Sequence, residues 1–345
     1  MHNIILLIVN IAFTVVYENF NDHNGRQFTK NTSKICIFVF YNAFQIIIYY
    51  QNKFNFDNIT KCVWLNYTLM KGKNFLIASS GIYPYVTNND TADLAYKIAR
   101  TVNGGKGQTR MFMPRFGTVN ERRHQLHEVI RLSVVNIVID DDDMPLIIKV
   151  ASIPKERMQV YFIDNDEFFK RKFTFTDEDG NIFEDNDGRA VFYAKGVVET
   201  VKKLKWRPDY TLVFDWFTSL LPLYIKTYYK NEPLFHGGKT YIVLTDDSFD
   251  QTMHDTLKNK LIFDEIPEEF IKKLEEPTQI NLLKNAIDLA DGVILRAKNV
   301  PEEIASHLED KEIDIVDVSD IDIEENEAEL KARIINAFGE KTETN

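Results

Sequence analysis

The chain has 345 residues, of which 41 are basic and 52 acidic, giving a formal net charge of −11. This charge argues against a surface for nucleic acid or for an anionic membrane, because either surface needs clustered positive charge. The two cysteines, Cys36 and Cys62, precede Met70, which excludes disulfides, thiolate zinc sites and a cysteine nucleophile from the rest of the chain. No metal and no other cofactor is predicted.

The first 69 residues differ in composition from those that follow. About half of them are Asn, Ile, Phe, Tyr or Lys, and no helical or strand period persists through the segment. We interpret Met70 as the start of the natural protein and residues 1–69 as translated upstream DNA. Two alternatives stay open: a signal peptide or membrane anchor, and a real domain. Residues 4–16 lack a basic flank and a cleavage site, and residues 35–50 fall short of the roughly 18–20 apolar residues of a membrane span, so membrane association is not expected.

From Met70 onward, short apolar runs typical of buried strands alternate with amphipathic helical patterns. In the helix predicted at residues 91–102, for example, Leu94, Ile98 and Val102 recur every four residues on one face. The alternation predicts a Rossmann-like parallel sheet with helices on both faces, in which ligands bind at the carboxyl ends of the strands. Strands are predicted at residues 75–79, 110–113, 146–150, 159–163, 210–214, 239–244 and 292–295, and further helices at 189–204, 220–229 and 280–289.

After residue 300 the sequence becomes acidic. We predict one domain over residues 70–300 and an acidic C-terminal extension over residues 301–345. Within the extension, residues 313–318 favour one more strand and residues 324–338 a terminal helix, followed by a frayed tail.

Several sequence motifs occur in a fixed order along this part of the chain. The longest, FLIASSGIYPYVTNNDTAD, covers residues 75–93. The shorter ones are MPRFG at 113–117, VYFID at 160–164 with Arg171, DN at 185–186 with Arg189, WRPD at 206–209, DW at 215–216, and LAD at 289–291 with Val293. Together they resemble the N-terminal domain of the glycogen and starch synthases, glycosyltransferase family 5, and most of all its single-domain form in Bacteroidetes-type bacteria.

This resemblance implies the N-terminal half of a GT-B fold, with the second GT-B domain absent from this chain. It also implies a retaining transfer of glucose from ADP-glucose to an α-1,4-glucan. These two substrates are the expected partners, together with a second polypeptide if one supplies the missing half. No catalytic residue is assigned. The substrate-binding residues that the resemblance implies are Asp93, Asn186, Arg189, Asp215 and Trp216.

The chain departs from the family pattern where the phosphates of the donor would bind. The family's KTGGLAD reads TNNDTAD at residues 87–93. Thr87 replaces a lysine, and Asn89 and Asp90 replace glycines that permit close backbone approach. We expect the Asp90 carboxylate to repel a diphosphate. Two further departures remove family histidines. Phe214 stands at the position of one of them, and the family's HN reads Thr245-Asp246, which replaces a histidine with threonine and an asparagine with aspartate.

Two of the implied site residues have a structural alternative. Asp93 either faces the sugar or the acceptor, or belongs to an ordinary helix start that is capped at Thr91, which is the interpretation we favour. Asp215 either binds substrate at the end of its strand or caps the helix that follows, and the sequence favours neither.

Three acidic or histidine-rich stretches resemble metal sites, and each has a simpler explanation. Residues 140–143 are consecutive aspartates, which are typical of a solvated turn. Residues 177–181 look like part of a calcium loop but lack its closing glutamate, so a β-turn is predicted. His124 and His127 have helical spacing without a third ligand, which predicts a surface helix.

The departures from the family pattern predict a glycogen/starch-synthase-type glycosyltransferase that is weak or inactive by itself. Two other hypotheses stay open. One is a non-catalytic protein that binds glucan or regulates a partner. The other is the N-terminal part of a split transferase whose second half is encoded separately. A cytoplasmic location is expected.

Overall fold

The structure, a computed structural model, describes residues 70–246 and 252–339. The interpretation of residues 1–69 and the predicted fraying of residues 340–345 lie outside these ranges. Within the described ranges, no helix combines the length and the apolar character that crossing a bilayer requires.

A mixed sheet of ten strands organises this part of the chain. Its strands are β1 (Asn74–Ala78), β2 (Gln108–Pro114), β3 (His127–Glu128), β4 (Val135–Ile139), β5 (Asp142–Ile153), β6 (Met158–Asp164), β7 (Tyr210–Phe214), β8 (Lys239–Leu244), β9 (Gly292–Leu295) and β10 (Asp314–Asp317). The helices are α1 (Asp90–Gly104), α2 (Glu121–His124), α3 (Asp166–Phe169), α4 (Asn186–Leu204), α5 (Leu221–Lys226), α6 (Leu257–Phe263), α7 (Glu268–Lys273), α8 (Gln279–Asp288), α9 (Glu302–Glu309) and α10 (Glu327–Phe338).

The strand order is β10–β9–β8–β7–β1–β2–β6–β5–β3, with β4 paired to β5. Seven of these strands, from β10 to β6 in that order, run parallel to their neighbours, which confirms the predicted parallel sheet. The structure adds an antiparallel edge, in which β5 pairs with β6, β3 and β4. Only residues 154–157 join β5 to β6, and a parallel crossover needs about a dozen residues or more. The short connection therefore fixes the direction of this edge.

Helices cover both faces of the sheet, as predicted. Side chains of β1 alternate between the two hydrophobic cores: Phe75 and Ile77 lie in the core that also holds α1 and α10, whereas Leu76 and Ala78 lie in the core that holds α4 and α8. A strand buried on both faces needs an apolar run without alternation. This is why the runs at 210–214, 239–244 and 292–295 predict β7, β8 and β9 with their observed bounds.

The acidic residues after 300 join the same sheet and core as residues 70–300. The predicted strand is β10, which pairs in parallel with β9, and the predicted terminal helix is α10, which packs against α1. Leu330 and Ile334 of α10 are fully buried there. The acidic character therefore belongs to the outer surface of these elements, while their inner faces complete the core.

A buried ion pair between Lys195 and Asp264 links α4 to β4, α5 and α6. The Nζ of Lys195 lies 2.5 Å from Oδ1 of Asp264, which directly follows α6, and donates to the Val138 carbonyl of β4 at 2.8 Å. The hydroxyl of Tyr224 in α5 donates to Oδ2 of Asp264 at 2.7 Å. Burial lowers the pKa of Lys195, and the hydrogen bond and charge of the Asp264 carboxylate oppose this shift.

Replacing Lys195 with methionine should lower the free energy of unfolding by about 3–5 kcal/mol, because Asp264 would remain as an uncompensated buried charge. Urea denaturation followed by circular dichroism measures this change. The matched control is Lys284→Met, which removes a lysine from a more exposed pair with Glu303 (Nζ–Oε2 3.2 Å) and should cost about 1 kcal/mol or less. Equal losses for the two variants would show that the buried pair does not hold these elements.

Candidate active site

The carboxyl ends of β1, β7, β8 and β9 lie along one edge of the sheet, where doubly wound folds bind their ligands. Ser80, Asp215, Thr245 and Arg296 follow these strands within two positions, and we call this region the carboxyl edge. The N-terminus of α1 lies against it, because the Thr91 hydroxyl donates to the Thr245 hydroxyl at 3.0 Å. The structure thus brings together the loops that the sequence singled out and adds the end of β9, which the sequence did not.

The loop between β1 and α1 ends at Asn89, which caps the helix. Its backbone is extended (φ −138°, ψ 116°), and its side-chain oxygen accepts a hydrogen bond from the N–H of Ala92 at 2.7 Å. The predicted cap at Thr91 is therefore wrong, because Thr91 already lies within the first helical turn. Thr87, at the position of the family's lysine, is exposed in the preceding loop. It offers a hydroxyl but no charge to a phosphate.

Asp90 is the first residue of α1, and its carboxylate is paired. Arg296, at the end of β9, donates from Nε and Nη2 to Oδ2 and Oδ1 of Asp90 at 3.0 and 3.2 Å. The guanidinium group also donates from Nη1 to the Ile321 carbonyl at 3.1 Å. The pair cancels the negative charge that the sequence predicted at this point, so repulsion of a diphosphate is reduced. The pair also occupies the guanidinium group of Arg296, which is then less available to an incoming anion.

Asp93, one turn further along α1, is half-buried. Burial raises the pKa of its carboxyl group; Lys97 opposes this shift, and Asp90 and Glu324 add to it. The side chain keeps enough exposure to meet a sugar hydroxyl. Its role in substrate binding stays a prediction.

The carboxylate of Asp215 accepts hydrogen bonds from three backbone N–H groups. Its Oδ1 accepts from Phe217 at 3.0 Å and from Thr218 at 3.3 Å, and its Oδ2 accepts from Ser80 at 2.8 Å. The residue is 7% exposed, and its φ of +58° is a left-handed value that aspartate tolerates better than most residues. Asp215 therefore caps the turn that follows β7, before α5 begins, and ties that turn to the loop after β1. A role in holding sugar stays a prediction.

The two neighbours of Asp215 are buried on opposite faces of the sheet. Phe214 is fully buried in the core shared with α1. Trp216 lies in the other core, where its ring centroid is 5.0 Å from that of Phe175. Phe214 therefore replaces the hydrogen bonds of the family's histidine with packing. Trp216 is 7% exposed, and its assignment to substrate stays a prediction.

Asp246 uses its carboxylate to hold the loop after β9. The N–H of Lys298 donates to Oδ1 at 2.9 Å, and the N–H of Asn299 donates to the same oxygen at 2.9 Å. The charge that replaces the family's asparagine is thus engaged by backbone N–H groups, which reduces its repulsion of an anion. Thr245 beside it is buried and bonded to Thr91.

Asn186 and Arg189, at the start of α4, form a buried polar cluster. The Nδ2 of Asn186 donates to the Phe175 carbonyl at 2.8 Å, and the Nε of Arg189 donates to the Phe168 carbonyl at 2.8 Å. Burial lowers the pKa of the guanidinium group to about 9. Both residues are 0% exposed, so a sugar reaches neither without rearrangement, and their substrate roles stay a prediction. Four ring centroids lie 5.4–6.0 Å from the guanidinium carbon: those of Phe116, Phe169, Phe183 and Phe217.

An ion network at the ends of β2 and β6 was not evident from the sequence. The Nε of Arg115 lies 2.9 Å from Oδ1 of Asp164, and the Nζ of Lys149 lies 3.0 Å from Oδ2 of the same carboxylate. Lys149 also reaches Glu121 at 2.8 Å. The available signal was a charged residue at or just after the end of each strand, in MPRFG and in VYFID.

Among the described residues, no group of three or more His, Cys, Asp or Glu side chains is placed to hold a metal. The run 140–143 begins in the turn between β4 and β5. Asp177 accepts from the N–H of Asn181 at 2.9 Å within the predicted turn. The turn prediction at residues 177–181 is confirmed, whereas the one at residues 140–143 holds only for the first two aspartates, because residues 142 and 143 belong to β5. The prediction of one helix with both histidines is wrong, because His124 ends α2 and His127 lies in β3.

A family model of the starch synthase catalytic domain matches residues 74–315. The chain belongs to this family. It is 30% identical to the glycogen synthase of Chlorobium luteolum over 238 residues, which cover 68% of this chain and 48% of that protein. It is 34% identical to the glycogen synthase of Chlorobium chlorochromatii over 171 residues, which cover 49% of this chain and 35% of that protein. The chain thus spans about half the length of the first of these relatives.

The fold of this starch synthase family member is also similar to a solved structure. That structure is the catalytic domain of starch synthase IV from Arabidopsis thaliana bound to ADP and acarbose, with a TM-score of 0.52 and 14% identity. The likeness covers 64% of this chain and 44% of that one. At this identity it shows the fold alone, and it confirms the predicted α/β architecture of a GT-B half.

Replacing Asp90 with asparagine should strengthen ADP binding about tenfold, since Arg296 would lose its carboxylate partner beside the helix N-terminus. Isothermal titration calorimetry with ADP measures this change. The matched control, Asp310→Asn, removes one charge from an exposed position after α9 and should leave the affinity unchanged. The double variant Asp90→Asn/Arg296→Gln should lose the gain. If Asp90→Asn binds ADP no better than the unaltered chain, the ion pair between Asp90 and Arg296 does not limit the affinity for ADP.

Proposed function

We propose that this chain is the N-terminal half of a glycogen/starch synthase that transfers glucose from ADP-glucose to an α-1,4-glucan, and that it is weak or inactive by itself. One observation carries the proposal. The family match runs over residues 74–315, yet Arg296, a cation at the carboxyl edge of the matched region, is held by Asp90. Membership of the starch synthase family supports the glucosyl transfer, and the ion pair between Asp90 and Arg296 supports a low rate of that transfer.

The ion pair between Asp90 and Arg296 is expected to slow the step in which ADP leaves the sugar. Negative charge grows on the diphosphate as the glycosidic bond breaks, and a pre-placed cation or N–H group must stabilise it. The N-terminus of α1 offers its dipole for this purpose, but Asp90 already occupies that end of the helix, and Thr87 brings no charge. We propose Asp93 and Asp215 as the groups that hold the sugar or the acceptor.

A second candidate function is a non-catalytic glucan-binding or regulatory protein. The observation that favours it is the internal use of acidic side chains at the carboxyl edge. Asp215 and Asp246 accept bonds from loop N–H groups, and Asp90 pairs with Arg296. Such groups order the loops whether or not a reaction occurs. The third candidate is a split transferase, in which a second polypeptide supplies the phosphate-binding cations.

ADP release from ADP-glucose in the presence of glycogen should be at least about 100-fold slower for this chain than for the Chlorobium luteolum glycogen synthase, since loss of one charge-stabilising group costs about that factor. A coupled assay for ADP measures both rates. Asp215→Asn should reduce the residual rate further. Asp246→Asn is its matched control, because it neutralises another loop-capping carboxylate at the same edge without a proposed contact to sugar.

The outcomes of this assay separate the candidate functions. Turnover equal to that of the relative would overturn the proposed weakness. Equal losses in Asp215→Asn and Asp246→Asn would show that loop order alone sets the rate. No ADP release, together with retention of the chain on glycogen, would favour the binding protein. Release that appears only after addition of the C-terminal half of the Chlorobium protein would favour the split transferase.

We also propose a cytoplasmic location. The net charge of −11 and the absence of cysteine after residue 62 support it, because chains in oxidising compartments more often use disulfides.

A further inference from the structure

A cavity of about 510 Å³ lies at the opposite edge of the sheet from the candidate active site. Its lining includes Thr211 and Thr240, which face each other near the amino ends of β7 and β8. Asp291, which precedes β9, also contributes. The volume lies within the roughly 300–1,000 Å³ of small-molecule sites. The reaction at the carboxyl edge does not use this cavity, so its lining needs a separate explanation.

Three lysines give the cavity lining a positive charge. Lys226 and Lys230 line it from the end of α5 and the residues just after, and Lys239 lines it from the start of β8. All three are exposed, and none forms an ion pair within the described part of the chain. The only carboxylate in the lining is Asp291, whose Oδ2 accepts from the N–H of Thr240 at 2.8 Å. Unpaired lysines gathered around a concave surface attract anions.

The wall formed by residues 235–238 is held in place by the surrounding structure. Nη2 of Arg207 donates to the His236 carbonyl at 2.8 Å, and the His236 ring shares a hydrogen bond of 3.0 Å with the Lys230 carbonyl. Gly237 has a φ of +76°, a left-handed value that favours glycine. A side chain on Gly238 would place its Cβ 2.9 Å from the Pro208 carbonyl oxygen, which is too close for an ordinary contact. The close packing of the wall against Pro208 therefore requires glycine at this position.

We propose that this lysine cavity binds a phosphorylated monosaccharide. Lysine ammonium groups bind phosphate as point charges, and Lys226, Lys230 and Lys239 supply three of them. The Asp291 carboxylate and the threonine hydroxyls are suited to sugar hydroxyl groups. The rings of Tyr229 and Phe235 give an apolar wall for one face of a sugar. The site is separate from the carboxyl edge and does not depend on the proposed function.

Isothermal titration calorimetry on the full chain at low salt tests this site with glucose 1-phosphate, glucose and inorganic phosphate. Glucose 1-phosphate should bind at least about tenfold more tightly than glucose or inorganic phosphate. Only glucose 1-phosphate offers both a phosphate to the lysines and sugar hydroxyl groups to Asp291 and the threonines. The variant Lys226→Gln/Lys239→Gln should weaken its binding roughly tenfold or more. The matched control is Lys71→Gln/Lys272→Gln, which removes two exposed lysines elsewhere and should leave binding unchanged.

Each of the other outcomes would overturn the assignment. Equal binding of inorganic phosphate would show that the cavity does not recognise a sugar, and equal binding of glucose would show that it does not recognise the phosphate. Equal weakening in the control variant would indicate a general charge effect. Loss of binding in Arg296→Gln with retention in Lys226→Gln/Lys239→Gln would place the ligand at the carboxyl edge instead.

Discussion

The carboxylate of Asp215 joins the ends of the two central strands, and the geometry of the carboxyl edge depends on this link. One oxygen holds the turn after β7, and the other holds the N–H of Ser80 after β1. Because β1 and β7 are neighbours in the sheet, a side chain of this length can span both loops. The same bonds that order the loops use the acceptor capacity of the carboxylate. A sugar hydroxyl at this position therefore competes with backbone N–H groups that are already well placed.

The C-terminal residues contribute to this edge through Arg296. Its guanidinium group is fixed on one side by Asp90 and on the other by the carbonyl of Ile321. Ile321 follows β10, and β10 reaches the sheet only through its pairing with β9. The segment after residue 300 thus holds the cation against the N-terminus of α1. A helix N-terminus attracts anions, and here the carboxylate of Asp90 already lies at that end of the helix. Neutralisation within the fold explains how Asp90 is tolerated where the family has glycine.

The sequence predicted the strands that are buried on both faces and the family that they belong to, but it did not predict interactions between distant residues. Apolar runs defined β7, β8 and β9, since burial on both faces permits no polar alternation. The antiparallel edge was missed because β3 and β4 were not predicted and β5 was predicted only at residues 146–150. The observed β5 begins at Asp142, an exposed acidic residue in the run interpreted as a turn, and only residues 154–157 separate its end from β6. The cap was misplaced because Asn89 and Thr91 are both good capping residues, and only the extended backbone of Asn89 decides between them. No local pattern links Arg296 to Asp90, which lies 206 positions earlier.

The two edges of the sheet handle charge in opposite ways, and this difference bears on where ligands bind. At the carboxyl edge, Asp90, Asp215 and Asp246 are compensated inside the fold, so an incoming anion gains little and must displace existing bonds. At the amino edge, the lysines around the cavity form no ion pair with any residue that the structure describes, although the chain carries a net charge of −11. Like charges held close together repel one another, and a carboxylate placed nearby would relieve that cost. The chain has acidic residues in excess, yet within residues 70–246 and 252–339 none of them forms an ion pair with these lysines. The lysines around the cavity therefore place unpaired positive charge at the edge remote from the loops of the candidate active site, where it attracts an anion.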